Sequence, residues 1–386
     1  MAFKRFLKDN WILIIILVLA LTLRVYNLEN KEYGTDENFS IEYGKDAVNG
    51  NLMGVIAKDV HPPLYYIITG YLLRLYDSIY FLRILSLLIG LLGILLTYKI
   101  TKDITKDKNL GLLTAFLLSI NPMHIIYSVQ LRAYILLSLI YLACIWILYQ
   151  YIFNKKSKII YLLIPLYLLS FYMHFYTIFM IGTHVILVGY FKLRDKIKIK
   201  DYVKTLIISS IGMLLYLPIF IRQFKFTIID EGNFALTRLR LTEIPYPFYK
   251  FAVMINYSTV KEQLLILLVL AIILTSLMLY GMYRLYKYNN REFYFIIITF
   301  FGIILLPLIL NPLIEYLSKG RTTLYYFRYF TYIIPIYVFL IANGLNIKNK
   351  IIKYTLIGII IIGWMIALNY YYNIMTTYGW SRLIAV

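Results

Sequence analysis

Cysteine is almost absent from this chain, since Cys144 is the one thiol in 386 residues. Without a second cysteine the chain can form neither an internal disulfide nor a metal site built from several thiolates. Only four histidines occur, and their spacing matches no metal-binding pattern, although His61, His124 and His174 together with an acid could hold a divalent ion. No internal repeat, low-complexity tract or soluble domain at either end is visible.

Apolar residues dominate what remains, at 61% of the chain, with a mean hydropathy of +0.73. A soluble protein of this size cannot bury so much apolar surface. The first apolar run, Trp11 to Leu23, lacks a following small-residue cleavage site, so we interpret it as a retained anchor. Runs of about 20 apolar residues, the length that a bilayer-spanning helix needs, recur along the chain. They predict an all-α multi-pass membrane protein with eleven spanning helices, near 10–28, 80–100, 109–124, 132–153, 158–173, 176–191, 203–222, 263–286, 293–312, 327–345 and 351–372.

The net charge of +20 would indicate a nucleic-acid partner in a soluble protein. Here 22 of the 39 Lys and Arg residues, but only 6 of the 19 Asp and Glu, fall in short loops that alternate with the other loops. That asymmetry is the positive-inside pattern of membrane proteins. It predicts a protein of the cell membrane that binds no nucleic acid, with a cytoplasmic N-terminus and the C-terminus outside.

Two outer loops are long, 24–79 and 223–262. The apolar stretch 62–77 is too short for a full span, and counting it as one would place every later basic loop outside. We therefore predict an interfacial or re-entrant helix on the outer face.

Polar groups gather at this outer surface. Asp36 and Glu37 follow the first span directly, where carboxylates near hydrocarbon are costly and are usually kept for function. Each polar residue also has an ordinary interpretation: an acid can cap a helix, an arginine can snorkel, and a histidine can lie in the core. The residues predicted at this depth are Asp36, Glu37, His61, Arg83, His124, Gln130, Arg132, His174 and Arg328.

Arginines beside a carboxylate indicate a particular chemistry. Guanidinium groups bind phosphate through paired hydrogen bonds, and a carboxylate can take a proton from a hydroxyl. A lipid phosphate at the interface would reach such arginines without leaving the membrane. The pattern therefore predicts transfer of a sugar from a lipid phosphate.

Several motifs in order resemble one known family. They are the acid pair Asp36-Glu37, HPPLYY at 61–66, LRILSLLIGLLGILLTYKIT at 82–101, SINPMHIIYSVQLRAYIL at 119–136, MHFYTIF at 173–179 and FRYFTYIIP at 327–335. The chain resembles the polyprenyl-phosphate-dependent glycosyltransferases of the GT-C architecture. Within them it is most similar to the branch of the protein O-mannosyltransferases and lipid A aminoarabinose transferases, with its RgtA/B/C/D-like members.

The resemblance implies a role for individual residues. Asp36 matches the catalytic base and Glu37 a supporting acid that orients substrate or a metal. His61 matches a histidine of the proline-containing motif, and Arg132 an arginine that meets the lipid phosphate. Arg328 is similar to a second phosphate contact. The remaining substrate-binding candidates are His174, Tyr134, which could stack on sugar, and Gln130, which stands where the family commonly has Glu.

The resemblance also implies juxtamembrane helices in the first outer loop, a single glycosyltransferase domain over 1–386, and no certain cofactor, with a divalent metal left open. We predict transfer of a hexose, such as mannose, from dolichyl or undecaprenyl phosphate to an acceptor hydroxyl outside the membrane, with inversion. A protein, glycan or lipid would suit as the acceptor. Two alternatives stay open at this point: a transporter or flippase of lipid-linked sugars, and a non-catalytic scaffold subunit.

Overall fold

Helices form the framework of the computed structural model, which describes residues 2–26, 28–29, 34–226, 239–254, 264–320 and 322–377. These residues contain no β-strand, so the all-α prediction is confirmed. The α-helices are α1 Ala2–Val25, α2 Thr35–Val48, α3 Leu52–Lys58, α4 Leu64–Leu75, α5 Ile79–Thr105, α6 Lys108–Ile120, α7 Pro122–Ser128, α8 Tyr134–Phe153, α9 Leu163–Phe171, α10 Thr177–Asp195, α11 Lys200–Leu214, α12 Leu217–Phe224, α13 Tyr246–Val253, α14 Leu264–Tyr288, α15 Asn290–Leu317, α16 Ile334–Gly344 and α17 Lys350–Thr377. Short 3-10 helices add Ser157–Leu162, Leu241–Glu243 and Phe327–Ile333.

Seven helical segments of the described chain are long and apolar enough to cross a membrane, and two bent helix pairs raise this to nine. Each predicted span falls on one of these nine or on the shorter apolar segments Asn10–Val25 and Ser157–Phe171. The chain is therefore a multi-pass membrane protein, while the total of eleven spans stays a prediction. The stretch predicted to be interfacial holds α4, whose 12 residues are too few to cross a bilayer.

The two bends have local causes in the sequence. Between α6 and α7 the axis turns by 64° at Asn121, whose side chain accepts a hydrogen bond from the backbone N–H of His124 while Pro122 occupies the first helical position. Between α11 and α12 the turn is 67°, and Pro218 again lies in the first turn of the new helix. Proline in the first turn has no N–H group, so each proline leaves one donor fewer to be paired at the start of the new helix.

Three short helices, α2, α3 and α4, fill the loop predicted to carry the acid pair. The backbones of α2 and α4 touch at two glycines, because a Cβ atom on Gly70 would lie 2.1 Å from the carbonyl oxygen of Gly44. Only glycine at position 70 allows this approach. The contact fixes α2, and with it Asp36, against the rest of the fold.

The helix ends collect into two groups. At one end the basic stretches meet: Arg291 pairs with Asp195 at 2.6 Å, Arg194 donates to Asn290 at 2.8 Å, and the guanidinium of Arg291 also reaches the carbonyl of Ile152 at 3.5 Å. The other end carries the predicted site residues. Three of the predicted basic loops therefore meet at the end of α8 opposite Arg132.

The spans differ in how far protein surrounds them. Within an apolar stretch of 18 residues in each span, 78% of residues are buried in Tyr134–Phe153 and 89% in Phe327–Gly344, against 28% in Lys350–Asn373. The first two segments therefore form the centre of the bundle. Arg132 lies just before the first of these segments and Arg328 at the start of the second, so both arginines sit on the best-packed part of the fold. Of the second long loop, 223–262, residues 227–238 and 255–262 lie outside the described residues.

Candidate active site

Asp36 is the point at which three distant segments meet. Its carboxylate oxygen Oδ2 lies 2.8 Å from a guanidinium nitrogen of Arg328, and its backbone carbonyl accepts a hydrogen bond from Arg132 at 3.2 Å. The Asp36 side chain keeps 24% of its surface exposed, so it is open to a reactant. The structure therefore brings together the predicted base and both predicted phosphate-binding arginines.

The arginines control the charge of Asp36. Burial alone would raise the pKa of Asp36, but the positive charges of Arg132 and Arg328 outweigh it and hold the pKa below its ordinary value. Arg328 is itself fixed, because its second nitrogen donates to the hydroxyl of Tyr326 at 2.9 Å and its guanidinium lies 4.6 Å above the Tyr326 ring. An ionised carboxylate is thus held beside two fixed cations.

Glu37 faces the opposite way from Asp36 and is fully buried. Arg83 contacts both of its carboxylate oxygens, at 2.7 and 3.1 Å, and the backbone N–H of Leu131 donates to one of them at 2.9 Å. Both side chains are at most 2% exposed. These bonds connect α2 to α5 and to the segment that carries Arg132. Glu37 therefore stabilises the position of α2. The predicted catalytic role of Glu37 stays a prediction.

His61 and His174 lie side by side, with ring centroids 4.5 Å apart. Burial, together with the nearby charge of Arg132, lowers the pKa of His61 to about 3, so this ring is neutral at physiological pH. Both rings line a cavity of about 300 Å³. The other walls of that cavity are mostly apolar and come from α10, α12, α15 and residues 322–324. His61 and His174 are thus the part of the site that borders this apolar space.

Hydrogen bonds from two other parts of the chain hold the segment around His61 in place. The side-chain amide of Gln223 donates to the backbone carbonyls of Asp59 and His61, both at 3.0 Å, and the N–H of Leu64 donates to the carbonyl of Tyr172 at 3.0 Å. The second bond brings HPPLYY next to MHFYTIF. Gln223 was not predicted, because nothing in a local pattern indicates a partner more than 150 residues away.

Asp59 is a second carboxylate that the sequence analysis missed. Burial raises the pKa of Asp59, although the Tyr66 hydroxyl and the charge of Arg132 act in the opposite direction. Its position two residues before His61 was the available signal. Asp59 gives Arg132 an acidic neighbour from a segment other than α2.

The remaining predicted residues lie behind this surface. Tyr134 is 3% exposed and Gln130 1%; the Tyr134 ring centroid lies 6.0 Å from that of His174. His124 accepts a hydrogen bond from Arg24 at 2.7 Å and is 1% exposed. Arg24 lies in α1, so His124 joins helices rather than the site.

The described residues contain no group of three or more His, Cys, Asp or Glu side chains placed to hold a metal ion. The three histidines considered together in the sequence analysis are split accordingly, because His124 contacts Arg24 while His61 and His174 face the cavity.

The chain is similar to a known protein family and to solved structures. Residues 60–222 match the sequence profile of a family described as dolichyl-phosphate-mannose-protein mannosyltransferase. That stretch contains His61, Arg132 and His174, and it ends one residue before Gln223. No curated protein matches the chain by sequence.

Two solved structures are similar to this chain over most of its length. The first is ArnT from Cupriavidus metallidurans bound to undecaprenyl phosphate, with a TM-score of 0.60, 11% identity, and coverage of 97% of this chain and 77% of that one. The second is the archaeal oligosaccharyltransferase AglB from Archaeoglobus fulgidus in complex with an inhibitory peptide and a dolichol-phosphate. It has a TM-score of 0.49 and 11% identity, and the match covers 97% of this chain and 56% of that one.

Proposed function

Because the chain is a membrane glycosyltransferase with the GT-C fold, we propose that it transfers a hexose from a polyprenyl phosphate to an acceptor hydroxyl. The observation that carries this proposal is the contact of Asp36 with Arg132 and Arg328, with Arg132 beside the two histidines that also line an apolar cavity. A polyprenyl phosphate matches both features, because its phosphate suits the arginines and its long apolar chain suits the cavity. The family match favours an enzyme over the transporter and the scaffold considered from the sequence.

Arg132 and Arg328 would hold the phosphate of the donor. A guanidinium group can make two parallel hydrogen bonds to phosphate oxygens, and the negative charge on those oxygens grows as the bond to the sugar breaks. Fixed positive charge at that point stabilises the transition state more than the ground state. The contacts of Arg328 with Tyr326 keep its guanidinium in place before substrate arrives.

Asp36 would act as the general base. The acceptor oxygen attacks the anomeric carbon of the sugar, the bond from that carbon to the phosphate oxygen breaks, and the lipid phosphate leaves with the bonding electrons. Asp36 takes the proton of the acceptor hydroxyl. A single displacement of this kind inverts the configuration at the anomeric carbon.

The side of the membrane follows from charge. The basic helix ends gather opposite the site, and basic loops favour the cytoplasm. We therefore place the N-terminus in the cytoplasm and the site on the outer face. The acceptor, a protein, a glycan or a lipid head group, would approach from that side over the stretch 223–262.

Substitution of the base is the direct test. Asp36→Asn removes the proton acceptor with little change in volume, and we expect turnover to fall about 10²- to 10⁴-fold. Glu42→Gln is the matched control, because Glu42 is an exposed acid on the same helix, and we expect it to keep full activity.

Purified protein is offered radiolabelled dolichyl-phosphate and undecaprenyl-phosphate sugars, and release of free lipid phosphate is measured. If the wild type releases lipid phosphate from none of these donors, the proposed function is refuted. Full activity of Asp36→Asn would remove Asp36 as the base while leaving the reaction in place.

A further inference from the structure

His174 holds its ring in one orientation through a backbone contact. The N–H of Tyr176 donates to Nδ1 of His174 at 3.1 Å. An imidazole nitrogen that accepts a hydrogen bond carries no proton, so in the neutral ring the proton lies on Nε2. His174 therefore presents a fixed N–H donor on the side of the ring away from Tyr176.

That donor is buried and unused within the protein. The residue is 6% exposed, and Nε2 has no hydrogen-bond partner among the residues that the structure describes. Buried polar atoms are paired in the great majority of cases, and leaving one unpaired costs about 1–3 kcal/mol. An unpaired donor at the wall of a cavity therefore indicates a ligand atom that accepts from it.

The surroundings keep the ring uncharged. Burial lowers the pKa of His174 far below its ordinary value, and the nearby groups His61 and Arg132 lower it further. Protonation would also require Nδ1 to give up the Tyr176 contact. The donor is therefore a neutral one that does not change over the physiological pH range.

The position of His174 selects the ligand atom. Its ring lines the 300 Å³ cavity and also a much smaller one whose walls include Arg132, Tyr134 and His61. It thus stands between the guanidinium of Arg132 and the apolar space. Tyr176, which lines the same large cavity, also has a buried hydroxyl without a partner in the described part of the chain.

We propose that the Nε2–H group of His174 donates a hydrogen bond to an oxygen of the sugar-phosphate head of the lipid-linked donor. This inference rests on the function proposed above and names a contact that fixes the head group next to Arg132. The oxygen belongs either to the phosphate or to a hydroxyl of the sugar, and both accept from a neutral donor.

Two substitutions separate this role from a structural one. In His174→Asn the side-chain oxygen can replace Nδ1 and keep the contact with the Tyr176 N–H, but no donor remains at the place of Nε2. In His174→Gln the amide nitrogen can replace Nε2, but the Tyr176 contact is lost. A ligand-binding role predicts that Asn is the damaging change, and a structural role predicts that Gln is.

Binding of dolichyl phosphate and of dolichyl-phosphate mannose, or of the undecaprenyl equivalents, is measured in detergent for the wild type and both variants. We expect His174→Asn to weaken binding roughly tenfold to a hundredfold while its melting temperature stays near that of the wild type. His174→Gln should retain most of the affinity. Equal losses for both ligands assign the oxygen to the phosphate, and a loss for the sugar-bearing ligand alone assigns it to the sugar.

The inference is overturned if His174→Gln binds more weakly than His174→Asn, or if neither variant differs from the wild type. A wild-type protein that binds no carrier and releases no lipid phosphate would instead contradict the proposed function, and the inference with it. The two failures are therefore distinguishable.

Discussion

Glu37→Gln should damage the fold more than the chemistry. Glu37 and Arg83 form a buried ion pair with two contacts, 2.7 and 3.1 Å long, and neither side chain is more than 2% exposed. Neutralising Glu37 removes the negative charge that contacts the buried Arg83 guanidinium at these two points. Loss of one partner of such a pair costs about 3–5 kcal/mol, a large fraction of the stability of most proteins.

The double variant Glu37→Gln/Arg83→Met tests the origin of that loss. If the damage comes from an uncompensated buried charge, removing the second charge should restore much of the stability. Asp77→Asn is the matched control, because Asp77 pairs with Lys45 at 3.2 Å on the surface, where a pair contributes about 0–1 kcal/mol.

The assay is thermal unfolding in detergent, with turnover measured at a temperature at which each variant is folded. A Glu37→Gln protein that melts like the wild type but has lost turnover would refute the structural role and favour the catalytic role predicted from the sequence. A double variant less stable than both single variants would refute the charge argument.

Two further predictions concern the frame and the charge of the site. Gly70→Ala should lower thermal stability and turnover, because its Cβ would lie 2.1 Å from a carbonyl oxygen. Gly189→Ala should change neither, because nothing lies within 4 Å of a Cβ at that position. Equal melting temperatures for the two variants would contradict the close contact at Gly70. Arg328 helps to lower the pKa of Asp36, so activity should fall at acid pH, where this base becomes protonated. Arg328→Gln should move that acid limb of the pH–rate profile for kcat/KM to higher pH. An acid limb that does not move would exclude the electrostatic coupling of Arg328 to Asp36.

The sequence predicts the membrane fold well because the signal is local. With each bent pair counted as one, nine of the eleven predicted spans fall on described segments long and apolar enough to cross a membrane, and the other two fall on shorter apolar helices. The GT-C resemblance is likewise confirmed, while its assignment to one branch stays a prediction. The bends at Pro122 and Pro218 were not predicted, because the length and hydropathy of an apolar stretch are the same whether its helix is straight or bent.

The site was predictable only in part, for a physical reason. Sequence motifs identified Asp36, Arg132 and Arg328, which the structure brings into contact. The pairing of Glu37 with Arg83 was not foreseen, because two adjacent acids look alike until the helix turns one outward and the other into the core. Position 36 stays partly exposed and position 37 is fully buried, since neighbouring residues on a helix point about 100° apart.

The ion pair between Asp36 and Arg328 gives the site a way to respond to its substrate. Without phosphate, the guanidinium groups keep Asp36 ionised but also hold it as a weak base. On the proposed function, a donor phosphate held by Arg132 and Arg328 would bring negative charge next to the carboxylate and compete for the same donors. Both effects raise the pKa of Asp36. The same carboxylate would therefore become a better proton acceptor only once the leaving group is in place, so proton transfer is favoured in the complex that can complete the reaction.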